Sequence, residues 1–143
     1  MDTMRRSVTL IIQVMDYMIN KMSDLEIEQL IVEKKLTAPR VTPDRIKEVI
    51  DDVQYFTAGD GAYGYQTRDE MVDASTYPSA LDLLTFCVIT LKNGFTVTGE
   101  SSCASPENYN QEIGQKIAYD NAVNKIWPLE GYLLKEQLSK ETV

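Results

Sequence analysis

"CVITLKNGFTVTGES", residues 87–101, places two runs of β-branched and aromatic residues on either side of Asn93-Gly94. Strand-favouring residues flanking Asn-Gly are the sequence pattern of a β-hairpin. Read as a two-residue type I′ turn, the pair sets Lys92 opposite Phe95, Thr90 opposite Val97 and Val88 opposite Gly99. Side chains alternate between the faces of a strand. One face of the ribbon then carries Phe86, Val88, Thr90, Phe95 and Val97, while the other carries Cys87, Ile89 and Leu91 beside Thr96, Thr98 and Glu100. The first strand reads as interior and the second as exposing one polar face.

Upstream of the ribbon, "VQYFTA" (53–58) reads as another strand. Before it, Pro39 and Pro43 make 37–42 extended, because a residue preceding proline avoids the α region. Thr42 and Pro43 suit the N-cap and first position of a helix reaching to about Val53, with Ile46, Val49 and Ile50 inward. Residues 2–36 read as helix. Leu10, Ile11, Val14, Met15, Met18 and Ile19 recur at three- and four-residue spacing, and Ser23 with Glu26 forms a capping box that restarts the pattern. That apolar face needs a cover, either the rest of the domain or a second copy of the chain. Residues 58–82, rich in Gly, Asp, Ser and Tyr, show no sustained period and read as a long loop, with Gly59, Gly61 and Gly64 as turn glycines rather than a phosphate cradle.

Downstream, Ser105 before Pro106 reads as a second N-cap, and Ile113, Ile117, Ala118, Ala122, Val123 and Ile126 as the inward stripe of the helix it opens. Pro128 is expected to interrupt that helix, leaving a short final one to about Lys140. The fold class is therefore α+β: a small antiparallel sheet with an Asn-Gly hairpin packed against helices. Residues 1–36 form an amino-terminal helical extension and residues 37–143 the α+β domain.

Composition narrows the function. The 143 residues are enough for a real core without disulfides. With 22 acidic against 14 basic side chains the net charge is -8, which argues against duplex nucleic acid as partner. No run approaches the roughly 18 apolar residues of a membrane span, and 1–20 lacks the uninterrupted apolar block of a signal peptide. No membrane partner and a cytoplasmic location are expected. The chain has no histidine, and Cys87 and Cys103 form no CxxC pair, so no metal site and no cofactor are expected. Without histidine a Ser or Cys nucleophile lacks its usual base; Glu100, Glu107 and Glu112 read as solvated dipole partners. The protein is read as a non-enzyme.

Two features point to ligand chemistry. A helix N-terminus at Ser105-Pro106 offers free N–H groups to an anion. Arg40, held between two prolines, is preorganised for a phosphate or carboxylate fork. Tyr119, Lys116 and Gln115 read as solvated surface.

The stretches "LTAPRVTP", "TFCVITLKNGFTVTGESSCASPENYNQEIGQKIAYDNA" and "KIWPLEGYLL" resemble a family of small tailed-phage proteins, the gp-forty-nine-like family, over roughly residues 36–136. The domain also resembles the Thoeris anti-defence sponges of phages, oligomers that sequester cyclised ADP-ribose signals, some of which also hold cyclic oligonucleotides. This resemblance implies a homo-oligomer, a dimer or higher, that encloses a small-molecule cyclic nucleotide in an infected bacterial host without reacting with it. An aromatic platform would take the adenine and a few donors the phosphates. Arg40, Asn93, Phe95, Ser105 and Asn108 are the ligand-binding residues assigned on that basis. The alternative is a phage protein-interaction module that blocks a host protein.

Overall fold

The computed structural model describes residues 3–6, 9–11, 22–69 and 76–142. Two compact units divide the chain, Met1–Pro43 and Asp44–Val143.

In the first unit, residues 3–6 and 9–11 are helical, with Leu10 and Ile11 exposed. Val14, Met15, Met18 and Ile19 lie outside the described residues. Helix α1 (Asp24–Glu33) starts where Ser23 and Glu26 predict: the Ser23 hydroxyl accepts from the Glu26 N–H, and the Glu26 carboxylate accepts from the Ser23 N–H at 2.7 Å. That reciprocal pair satisfies two N–H groups that the helix itself cannot. The chain leaves α1 through Lys35, in the left-handed region at φ 54°. No residue of α1 is buried, and Leu25 is 62 % exposed.

The second unit opens with α2 (Pro43–Val49), which buries Ile46 and Val49. The helix expected to reach Val53 ends at Val49 because the next residues join a sheet. Strand β1 (Ile50–Thr57) pairs antiparallel with β2 (Leu84–Leu91), setting Val53 opposite Ile89 and Phe56 opposite Phe86. Strand β3 (Thr96–Ser102) pairs on the other side, giving the order β1-β2-β3 with β2 central, as its apolar run predicts.

The hairpin stands where Asn93-Gly94 predicts, but its register differs by one residue. Thr90 pairs with Thr96 and Ile89 with Val97. The Gly94 N–H donates to the Leu91 carbonyl at 2.8 Å, the Leu91 N–H donates to the Phe95 carbonyl at 2.8 Å, and Gly94 has φ 87° while Asn93 stays at negative φ. This is a three-residue loop built on a type I turn with glycine in the left-handed position; a type I′ turn would need positive φ at both central residues. A one-residue slip exchanges the faces of the whole strand. Val97 and Gly99 thus point inward with Ile89 and Cys87, and Thr96, Thr98 and Glu100 share the opposite face with Phe86, Val88 and Thr90.

The inner face is covered by α4 (Gln111–Glu141), one continuous helix of 31 residues that runs through Pro128. Proline removes a single helical N–H donor. Arg45 of α2 holds the turn beyond it, its Nε donating to Glu130 at 3.0 Å. The buried line of α4 is Gly114, Ala118, Ala122 and Ile126, at strict four-residue spacing; Ile113 and Ile117, expected inward, are 61 % and 45 % exposed. Small residues win the inward positions because backbone meets backbone here. A Cβ at Gly99 would lie 2.1 Å from the Ala118 carbonyl oxygen and 2.3 Å from the Ala122 nitrogen. The Asn121 amide donates to the Glu100 carbonyl at 2.8 Å and fixes the crossing.

The stretch expected to be a loop holds α3 (Ala58–Thr67). Thr57 caps it reciprocally with Asp60: each side chain accepts the other's N–H, at 3.0 and 2.9 Å. The cap and packing on the following 3-10 turn (Ser79–Leu83) outweigh the poor helix propensity of three glycines. Gly59 packs closely on that turn: a Cβ there would lie 2.0 Å from an Asp82 carboxylate oxygen and move that side chain. The loop expectation at 70–75 lies outside the described residues.

Candidate functional site

Within the second unit, the residues assigned from chemistry and motif do not converge. Arg40 belongs to the first unit, where both guanidinium nitrogens donate to the two Glu28 oxygens at 2.5 Å. The hydrogen-bonded Arg40 fork holds the Glu28 carboxyl below the usual carboxylate range, and Glu28 raises the guanidinium in turn. The preorganised fork has its carboxylate inside the same unit. It lines an open groove of about 600 Å³ with Val32, Lys35, Leu36, Thr37, Ala38 and Thr42.

Asn93 and Phe95 sit at the hairpin tip. The Asn93 side-chain oxygen accepts from the Phe95 N–H at 2.9 Å, which shapes the turn, and the Phe95 ring is 54 % exposed. Ser105 and Asn108 flank the far end of β3, a strand's length from that tip. The Ser105 hydroxyl donates to Glu107 and makes no cap bond. Only a 3-10 turn (Pro106–Asn108) follows it; the long helix begins after Asn110, whose side chain accepts from the Ile113 N–H at 3.0 Å. The expected anion site at Ser105-Pro106 therefore lacks the helix that would supply its dipole.

What the fold does bring together is a pocket of about 340 Å³ at the end of the sheet away from the hairpin. Tyr55, Phe56 and Thr57 come from the end of β1, Thr85 from the start of β2, and Asp82 from the turn before it. Asp60 stands in the first turn of α3, and Tyr109, Gln111 and Gln115 stand at the start of α4. The β1–β2 register puts Thr57 opposite Thr85 and Tyr55 opposite Cys87, and five separate elements deliver polar groups to one place.

Thr85 decides how this pocket is read. It is 2 % exposed, and its hydroxyl oxygen has no hydrogen-bond partner, alone in this among the described residues. A buried polar group without a partner costs free energy, and in native proteins it needs an explanation. Gly114 lies over it: a Cβ at that position would be 3.1 Å from the hydroxyl oxygen. Around it, Asp82 accepts from the Tyr77 hydroxyl at 3.0 Å and Asp60 is held by its cap. Burial, followed by the neighbouring Cys87, pushes the Tyr55 phenol up, so it stays protonated and can donate. Among the described residues no Lys or Arg lines the pocket, and no group of His, Cys, Asp and Glu side chains could hold a metal ion.

Sequence reading missed this site. Gln115 reads as solvated surface but is half-buried and lines the pocket, and nothing in the sequence singles out Thr85. The one legible signal was Thr57 with Asp60, the capping pattern that would have turned the loop into a helix beside the sheet.

The model of the phage protein (N4 Gp49/phage Sf6 gene 66) family matches residues 41–138, more than half of the chain and nearly all of the second unit. The chain belongs to that family. The match spans every strand, the pocket and most of α4, so the Thr85 pocket of this Gp49-family phage protein lies wholly within the family domain. No curated protein and no solved structure matches the chain. Among the described residues no helix is long and apolar enough to cross a membrane.

Proposed function

We propose that this phage protein captures a cyclised nucleotide signal of the cyclic ADP-ribose class and holds it chemically unchanged. The observation that carries the reading is the pocket itself, where the amides of Gln111 and Gln115 and the carboxylates of Asp60 and Asp82 line the end of the sheet. Ligand pockets start at about 300 Å³; this one has the volume for a base with its sugar, and most of its lining is polar. The absence of histidine from the sequence favours holding over turnover, since no imidazole can shuttle a proton. Phosphates would be met by groups outside the pocket, and a second copy of the chain is the source that the oligomer reading supplies.

The test is direct. Purified protein is mixed with cyclic ADP-ribose isomers and cyclic oligonucleotides, its melting temperature is followed, and the ligand released on heating is identified by mass. A ligand bound only by the folded state raises the melting temperature by mass action, and intact cargo should be recovered. No shift with any cyclic nucleotide ends this reading, and product accumulating with time would make the protein a hydrolase.

A second reading has its own observation. The net charge of -8, together with the exposed Phe95 at the hairpin tip, suits an accessory module that docks on and blocks a basic host protein. A stoichiometric host protein retained from lysate, lost in Phe95→Ala, would favour it.

A further inference from the structure

We infer that the face of the sheet turned away from α4 docks a basic protein, which seats an apolar side chain on Phe86 and Val88 and brings cations to Asp52 and Glu100. This deepens the interaction-module reading above and rests on it. The inference starts from where the charge lies. Residues 1–43 carry six acidic and six basic side chains, so the whole net charge of -8 belongs to the second unit. Within that unit the basic side chains stand on α2, at the end of α3, in the hairpin turn and on α4, and none of the three strands has one.

The register fixes what the open face presents. Because α4 lies over Ile89 and Gly99, the alternate residues of each strand point the other way. Val88 stands in the middle, between Gln54 and Thr98, and all three are half-buried or exposed. Phe86 lies next to it on the same strand, stacked on Phe56 with ring centroids 5.7 Å apart. The carboxylates take opposite corners, Glu100 beside Phe86 and Asp52 beside Thr90. An apolar centre with a polar margin is the layout of a protein interface.

The two carboxylates say what docks there. Among the described residues no ion pair involves Asp52 or Glu100. The Gln54 amide donates to Asp52 at 3.0 Å and steadies it over the face. With about 3.4 Å per residue and about 4.8 Å between strands, the two acidic residues lie about 17 Å apart, and a cationic partner reaches both across the apolar centre. A second copy does not match. Face to face it sets carboxylates against carboxylates, with no strand cation to offset them, and like-charge juxtaposition at an interface is penalised.

The experiment uses the full chain. A protein retained from host lysate on the immobilised chain is identified by mass, purified, and titrated against wild type and variants. Its affinity should fall as salt rises, fall about tenfold or more in Glu100→Lys, and be lost in Val88→Lys. Lys135→Glu, which reverses a charge on α4, should leave it unchanged. Glu100 is exposed, so Glu100→Lys decides the matter even if a melting curve shows that Val88→Lys does not fold. Equal affinity in wild type and Glu100→Lys, or binding indifferent to salt, overturns the inference. If binding is lost in Phe95→Ala and kept in Glu100→Lys and Val88→Lys, the inference fails and the module reading stands; if no host protein is retained, that reading fails and the inference falls with it. Sedimentation of the chain alone supplies the last arm: an oligomer that Val88→Lys takes apart would put a second copy on this face and overturn the inference.

Discussion

Replacing Thr85 by valine should make the protein more stable. The hydroxyl is 2 % exposed and meets no protein partner, so folding strips it of water without compensation. Such a group costs about 1–3 kcal/mol. Valine puts a methyl in the same place, and both residues favour strands. At the low end of that range the gain is about 1 kcal/mol, which for a cooperative unit of about 100 residues raises the melting temperature by about 4–8 °C. Differential scanning calorimetry on the two proteins without ligand measures it. A melting temperature that is unchanged or lower would refute the reasoning, because it would mean that the hydroxyl is satisfied in the folded protein.

Other consequences can be measured separately. Gly99→Ala should lower the urea midpoint by an amount equivalent to about 1–3 kcal/mol or more, since its Cβ would meet the backbone of Ala118 and Ala122 rather than a yielding side chain. Gly94→Ala forces an ordinary residue into the left-handed region at φ 87° and should cost about 1–2 kcal/mol in the same assay. The Arg40 fork lowers the Glu28 carboxyl, so the stabilisation it gives is complete above the ordinary carboxylate range and is lost as pH falls through the lowered value. The side-chain carbon signal of Glu28 in NMR should accordingly titrate at lower pH than glutamate in a short peptide, and Arg40→Gln should return it to the peptide value.

The place of the hairpin was legible and its register was not. Asn-Gly suits both a two-residue type I′ turn and a three-residue loop with glycine last, and only the demands of the core separate them: Ile89 and Cys87 need Val97 and Gly99 beside them under α4. The caps at Ser23 and Thr57 illustrate the same divide. Both follow the one pattern, but apolar periodicity after Ser23 draws attention to it, whereas three glycines after Thr57 hide it. Ile113 and Ile117 misled for another reason. The helix approaches the sheet so closely that side-chain size, not hydrophobicity, sets which residues face it. The pocket could not be read in advance, because Thr57, Thr85 and Gln115 meet only once the register and the α4 crossing are fixed.

The 31 residues of α4 extend about 46 Å at 1.5 Å each, whereas the eight residues of β2 cover about 27 Å. Beyond Ile126, the last buried position, the helix runs on past the length of β2, and one of its rungs is missing at Pro128. A segment of that length is marginal on its own in water, and Arg45 at Glu130 is its side-chain tether to α2. Amide protons should exchange quickly after Tyr132 and slowly around Ala118. If it does, the carboxy-terminal end of α4 is the part of this unit that opens first, and limited proteolysis should cut there before it cuts the sheet.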